Sequence, residues 1–334
     1  MNARPSTLAV RALAWLFSLL PWVAAGQDSQ LTIQFFNVGQ ADASLLTCSH
    51  GTHRVLIDSG DKTYPGSQEN FRRELARALG GVTVIDIAVA SHPHADHIGG
   101  MEWVLSTYRV GTYIDNGRPS ETTTWSRLET LRRKLVKAGR LKYINGTAAS
   151  LAPLKLCSEV TLTLITPAAH AKLSHTNDCS VGIRVDCRGK SFLFVGDMES
   201  HAEEAWLDRL SPQARALADV DVLKVGHHGS DTSTTSAFIQ AVSPDLAFVM
   251  CGAKGVGTNS RYKHPRASTM RKFADWFKHR PPPVSADSEQ IWVYNATTRK
   301  WESIERPAGI WLSHVDGTVT LSTDGKKFAV ATSN

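Results

Sequence analysis

The sequence predicts an α/β fold: two β-sheets packed face to face, helices over their outer faces, and a small β appendage at the C-terminal end. Three observations predict it. Strand-like apolar runs fall in two batches, one within 31–90 and one within 160–250. Segments of helical spacing are interspersed in both batches, so each sheet has its own covering helices. After position 281 the helical spacing stops, and short strand-like runs with turn signals remain.

The first batch opens with runs at 31–36, 43–48 and 54–57, separated by stretches rich in Gly, Asn, Asp and His, as turns are. Residues 69–79 carry Phe71, Leu75, Ala78 and Leu79 at helical spacing, and Gly80-Gly81 closes that helix. Residues 83–90 are β-branched and apolar with Asp86 their one charge, which reads as a buried strand. A helix begins near Met101. Another covers 125–138, and its polar face of Arg127, Arg132, Arg133, Lys134 and Lys137 reads as solvated surface. The second batch has strands at 160–165, 180–187, 191–195, 222–225 and 246–250, with helices at 201–210, 234–242 and 268–279. In the appendage, 282–334, runs at 291–294, 310–312 and 318–321 alternate with turns such as Asn295-Ala296 and Asp316-Gly317.

Residues 1–25 read as a secretory signal peptide, with Arg4 and Arg11 first, an apolar stretch over 12–25, and Val23-Ala24-Ala25 for cleavage. Export to the periplasm or the medium is therefore expected. Cleavage leaves 309 residues (334 − 25), room for one large domain over 26–281 and the appendage. It removes two cations and no acid, so the net charge falls from +6 to +4 (6 − 2). That mild excess suits an anionic substrate without requiring one. No later apolar run reaches membrane-spanning length, so no stable membrane span is expected in the mature chain. Cys48, Cys157, Cys179, Cys187 and Cys251 form no C-x-x-C pair, which argues against a thiolate zinc site. Export permits disulfides. Spacing singles out no pairing; Cys179 with Cys187 is one candidate.

The chemistry concentrates in Ser91-His92-Pro93-His94-Ala95-Asp96-His97. Imidazoles and a carboxylate at this density are the ligands of a divalent metal. Pro93 favours an extended backbone at His92, and residues two apart in an extended segment point the same way. His92 and His94 therefore share one metal, while Asp96 and His97 face a second where the chain turns. Two metals need a carboxylate between them. Asp197, at the tip of the apolar run that ends in Gly196, is the candidate, and it also reads as a helix cap before Glu199. The strand-like run ending in Val225-Gly226 leads to His227-His228. One of these completes the second metal, and the other holds a substrate oxygen or donates a proton.

These motifs resemble the metallo-β-lactamase superfamily. Phe35-Phe36-Asn37-Val38-Gly39-Gln40-Ala41-Asp42-Ala43, Leu56-Ile57-Asp58-Ser59-Gly60, the His loop, the run from Leu223 to Ser230, and Tyr262-Lys263-His264-Pro265 resemble the metallohydrolase domain of the ComEC DNA-uptake family. The resemblance implies an αββα sandwich, a dinuclear metal site between the sheets, and hydrolysis of phosphoesters. In that family the second His of the loop is often Asp. His94 at that position moves the ligand set toward zinc and away from manganese. The superfamily's third motif is matched by His175-Thr176-Asn177-Asp178-Cys179-Ser180, which offers Asp178 or His175 as ligand. His264 reads as a substrate-facing residue or as a surface histidine before Pro265.

The expected ligands are thus His92, His94, Asp96, His97, Asp178, Asp197 and His228, holding two divalent metal ions. Asp96, His227 and His264 are the expected catalytic residues. The expected reaction is attack of a metal-bridging hydroxide on a phosphodiester, nucleic acid being one such substrate. Two alternatives stay open. One is a hydrolase of another ester or amide: a β-lactam, a lactone or a phosphocholine-bearing polymer. The other is a non-catalytic module that binds extracellular DNA or glycan.

Overall fold

A computed structural model describes residues 30–48, 51–64, 66–147, 153–167, 172–211 and 214–334. The expected signal peptide, 1–25, lies outside them. The chain runs β1 (Leu31–Phe35), β2 (Ser44–Cys48), β3 (Arg54–Ile57), α1 (Ser67–Leu79), β4 (Val84–Val89), α2 (Ala95–Ile98), α3 (Met101–Thr107), β5 (Arg109–Asp115), α4 (Thr123–Lys137) and β6 (Lys142–Asn145). It continues through β7 (Leu154–Cys157), β8 (Val160–Ile165), β9 (Gly182–Cys187), β10 (Lys190–Phe194), α5 (Ser200–Leu207), β11 (Val222–Lys224), α6 (Ser236–Val242), β12 (Leu246–Val249), α7 (Asn259–Tyr262) and α8 (Ala267–His279). It ends with β13 (Gln290–Asn295), β14 (Lys300–Glu305), β15 (Ile310–Leu312), α9 (Ser313–Asp316), β16 (Val319–Thr323) and β17 (Phe328–Thr332).

Two sheets form the body. One is eight-stranded in the order β17-β16-β1-β2-β3-β4-β5-β6, the other seven-stranded in the order β15-β12-β11-β10-β9-β8-β7. The core between them takes alternate residues from both, including Ile33, Phe35, Leu46, Phe192, Phe194 and Phe248. Phe35 and Phe248 stack across it with ring centroids 4.2 Å apart and planes 8° from parallel. Such a pair adds about 0.5–1.5 kcal/mol beyond its buried area. Phe71, Leu75, Val104 and Leu128 pack α1, α3 and α4 onto the outer face of the first sheet. Ala202, Phe238, Met270 and Phe273 pack α5, α6 and α8 onto the second. The layers are helix, sheet, sheet, helix, the expected αββα sandwich.

The strands expected in a C-terminal appendage divide three ways. Only the hairpin β13–β14 forms a sheet of its own; β15 pairs with β12, and β16 with β1. Residues 310–332 are therefore built into the two main sheets, a correction to the reading of 282–334 as one appendage. The reason is pairing: β1 and β12 would otherwise present unpaired backbone groups at an open edge.

The cysteines also sort differently. Cys48 of β2 is joined to Cys157 of β7 across the two sheets. Cys179 and Cys187 are free and buried, so the pairing drawn between them does not form.

Candidate metal centre

The strands β3, β4, β5 and β6 run parallel, as do β10, β11, β12 and β15. Parallel strands end on one side, where loops that follow them gather. Asp58 follows β3, the His loop follows β4, Asp197 follows β10, His227 and His228 follow β11, and Met250 to Gly252 follow β12. Gly196 adopts φ +56°, and a Cβ there would lie 2.7 Å from Ser91 Cβ. Glycine therefore lets the Asp197 turn touch the start of the His loop. His227 and His228 both take left-handed backbone angles, φ 47° and 53°. That costs roughly 1–2 kcal/mol each. It leaves the two neighbouring rings with centroids 6.1 Å apart.

Asp96, His97, Asp197 and His228 each turn one ligand atom into a common space, all within 4.8 Å of one another. His97 Nε2 is 3.2 Å from Asp197 Oδ2 and 4.0 Å from Asp96 Oδ2. His228 Nε2 is 3.3 Å from Asp96 Oδ2 and 3.7 Å from Asp197 Oδ1. Asp197 Oδ2 is also 3.8 Å from His92 Nε2 and 3.7 Å from His227 Nε2. His92 Nε2 and His94 Nδ1 face each other at 2.9 Å. The Asp197 carboxylate stands among all of these rings.

Surrounding acceptors fix which nitrogen each ring offers. His97 Nδ1 donates to Asp58 Oδ2 at 2.8 Å, and His228 Nδ1 to the Met250 carbonyl at 2.8 Å. Ser91 Oγ donates to Asp58 Oδ2 at 2.9 Å, which leaves its lone pair for His92 Nδ1 at 3.1 Å. His227 Nδ1 lies 3.1 Å from Glu199 Oε1 and 3.2 Å from Thr232 Oγ1, a hydroxyl that donates to the same carboxylate. In all four rings Nδ1 carries a hydrogen, which makes Nε2 the nitrogen that faces the centre and would meet a metal.

A divalent cation fits this set. Among the described residues, the buried atoms His97 Nε2, His228 Nε2 and Asp197 Oδ1 have no hydrogen-bond partner. An unsatisfied buried polar atom costs about 1–3 kcal/mol. These three converge, and imidazole nitrogens with carboxylate oxygens are ordinary ligands for such an ion. The electrostatics agree. Burial opposes charge on His97, but Asp197, Asp58 and Asp96 outweigh it and raise the ring well above its usual range. Burial likewise opposes charge on His228, and Asp197 and Asp42 lift it to about 10. Burial works against the Asp197 carboxylate too, yet His97, His227 and His228 hold it well below its usual range. Beneath the centre, Lys224 is ion-paired with Asp42, and both are buried. Pairing offsets the cost of placing either charge there.

Of the residues read from the sequence, His92, His94, Asp96, His97, Asp197, His227 and His228 come together. His228, not His227, joins the four-residue group. His264 is buried beside them, its ring centroid 5.4 Å from that of His227 and 6.1 Å from that of His228. Asp178 is placed elsewhere. Its Oδ1 accepts the Glu199 and Ala202 backbone N–H groups at 3.2 and 3.3 Å, and so caps α5. With His175 and Glu199 it forms a separate group. Because Asp178 takes the cap, Asp197 is released from the capping role to face the histidines. The sequence reading did not assign roles to Asp58, Asp42, Lys224, Glu199 and Gln40. The signal for four of them was present, since Gln40, Asp42, Asp58 and Lys224 lie within the quoted motifs.

The metallo-beta-lactamase superfamily model matches residues 36–253. The chain is 28% identical over 256 residues to ComE operon protein 3 of Bacillus subtilis, covering 73% of this chain and 30% of that protein. It is 27% identical over 240 residues to Recombination protein 2 of Haemophilus influenzae, covering 72% and 26%. It is 25% identical over 264 residues to Competence protein ComA of Neisseria gonorrhoeae, covering 79% and 32%. The chain thus spans about a third or less of the length of these relatives. Among solved structures, a diphosphatase of the PhnP family is similar at 12% identity and TM-score 0.45, over 90% of this chain and 99% of that one.

Proposed function

Since the chain belongs to the metallo-beta-lactamase superfamily and is a metal-dependent hydrolase of that kind, we propose that the bond it cleaves is a phosphodiester. Two divalent metal ions would be held by the residues described, with zinc favoured over manganese because imidazoles dominate the set. His92, His94 and Asp197 would hold one, and Asp96, His97, His228 and Asp197 the other. When bound, such ions polarise a phosphoryl oxygen and make water nucleophilic at neutral pH. The chain's own residues do the rest. Asp197, which stands among the rings of both groups, would supply the carboxylate they share. Asp58 and the Met250 carbonyl hold the rings of His97 and His228 in their ligating tautomers. Glu199 holds His227 with Nε2 toward the centre, where it can take a proton or return one to a leaving oxygen.

The observation that carries the phosphodiester reading is a cationic, aromatic rim beside His264. Tyr262 and Trp292 are 42% and 46% exposed. Lys254 Nζ lies 3.3 Å from the centre of the Trp292 ring, Lys263 Nζ 4.8 Å from that of Tyr294, and the Arg261 guanidinium 5.6 Å from that of Tyr262. The Tyr262 and His264 rings are 6.3 Å apart, which ties the rim to the centre. The two exposed rings, Tyr262 and Trp292, with the cations beside them suit a strand of nucleotides, bases on rings and phosphates on charges. The names of the relatives, a recombination protein and a competence protein, are in keeping with a nucleic-acid substrate. Export is supported by the Cys48–Cys157 disulfide, a bond that persists in oxidising compartments.

The test is a panel of bis-p-nitrophenyl phosphate, single-stranded DNA and nitrocefin with metal-loaded protein. Turnover of the first two and not the third is expected. Turnover of nitrocefin alone would move the reading to amide or ester hydrolysis. DNA binding without cleavage, equal with and without metal, would make it a binding module.

A further inference from the structure

The geometry points to Gln40 as a positioning residue that fixes His264 in its Nε2–H form, so that this ring donates a hydrogen bond where its neighbours offer lone pairs. Gln40 is buried, and its Oε1 accepts the Gly252 backbone N–H at 3.1 Å. With the oxygen committed, the amide must turn its NH2 to the other side. There Nε2 lies 3.0 Å from His264 Nδ1. A donor meets this nitrogen, so Nδ1 is the acceptor and the ring hydrogen sits on Nε2. Flipping the amide would set N–H against N–H at Gly252, so the orientation is determined by the network.

The frame around this pair is closed. Asn259 is fully buried; its Oδ1 accepts the His264 N–H at 2.6 Å. Its Nδ2 donates to the Gly252 carbonyl at 2.6 Å and the His264 carbonyl at 2.7 Å. Gly252 thus anchors both the side chain that reads the His264 ring and the side chain that holds its backbone. A Cβ on Gly252 would lie 3.0 Å from Gln40 N and 3.2 Å from Asn259 Cβ, so a larger residue there would crowd both.

The contrast with the other rings gives the pair its purpose. His92, His97, His227 and His228 all carry hydrogen on Nδ1. A further lone pair at His264 would compete for metal; an N–H cannot ligate. Instead it can donate to a substrate oxygen as negative charge grows on it. What the N–H meets rests on the hydrolase reading, whereas the tautomer does not.

The experiment is a long-range proton–nitrogen correlation spectrum of the full chain labelled with nitrogen-15 histidine, with His264 assigned by its loss in His264→Asn. Expected is an unprotonated Nδ1 and a protonated Nε2 in the native chain. In Gln40→Glu a carboxylate replaces the donor, so Nδ1 should become protonated, and turnover of bis-p-nitrophenyl phosphate should fall about 10²–10³-fold. A protonated Nδ1 in the native chain would overturn the inference, with or without a folded variant. The expected tautomers with equal turnover in both chains would overturn the donor role. The expected tautomers with no turnover by either chain would support the lock and count against the phosphodiesterase reading.

Discussion

The ring of His228 donates from Nδ1 to the backbone carbonyl of Met250, 2.8 Å away, and this contact turns Nε2 toward Asp96 and Asp197, where a metal would meet it. The carbonyl follows β12, the strand paired with the one that carries His228. Strand pairing therefore sets the tautomer of a candidate ligand together with Asp42, whose Oδ1 lies 3.1 Å from the same Nδ1.

His227 and His228 should separate on substitution. His228→Gln removes a member of the four-residue group and should lower bound metal. His227→Gln should retain more metal while turnover falls about 10²-fold, as loss of a proton-transfer group does. Metal analysis with kinetics on the two variants checks this; equal metal loss in both would contradict it.

Asp58→Asn should act through His97. The 2.8 Å bond from His97 Nδ1 needs an acceptor that also takes the Ser91 hydroxyl and the Ser91 N–H, the latter at 2.7 Å. An amide offers one oxygen where the carboxylate offers two. Metal affinity should fall about 10–100-fold. Chelator competition reads the change, and unaltered affinity would remove Asp58 from the design of the centre.

Much of the centre was legible in the sequence because its ligands lie close along the chain. His92 to His97 form one loop, and Asp197 and His228 sit at the tips of apolar runs. The position of Asp178, grouped with His175 and Glu199 and outside the four-residue group, could not be read from the chain. An aspartate before a helix serves equally as cap or ligand, and only tertiary structure shows that Asp178, 21 residues before Glu199 in sequence, takes the cap of α5. The strands β5 and β6 were not read because Arg109, Asp115, Lys142 and Asn145 place polar residues at their ends. The strands β15 and β16 were read, but not their partners, and β14 and β17 were not read. Pairing of β16 with β1 joins residues nearly three hundred positions apart, which periodicity cannot reveal.

Reduction of the Cys48–Cys157 disulfide should destabilise the fold. It joins β2 of one sheet to β7 of the other across 109 residues. Loss of a cross-link closing so long a loop costs about 2–5 kcal/mol. Urea unfolding of the native chain and of a Cys48→Ala, Cys157→Ala double variant measures it; coincident midpoints would contradict the expectation.

Acid sensitivity should trace in part to His314. Burial lowers its pKa to about 4. The unfolded ring titrates at about 6.5, so between these values the unfolded chain binds the extra proton. Stability tied to this ring is complete above about pH 6.5 and is lost as pH falls toward 4, by up to roughly 1.4 kcal/mol per pH unit. His314→Gln should flatten the dependence of urea midpoints between pH 7 and 4.5. An unchanged slope would exclude the ring as a source.

The most direct test of the metal centre is the metal content of purified chain and of Asp197→Ala. About two divalent ions per native chain are expected, and fewer than about one in the variant, since Asp197 is the carboxylate shared between both groups of ligands. Equal metal in the two proteins would contradict the assignment.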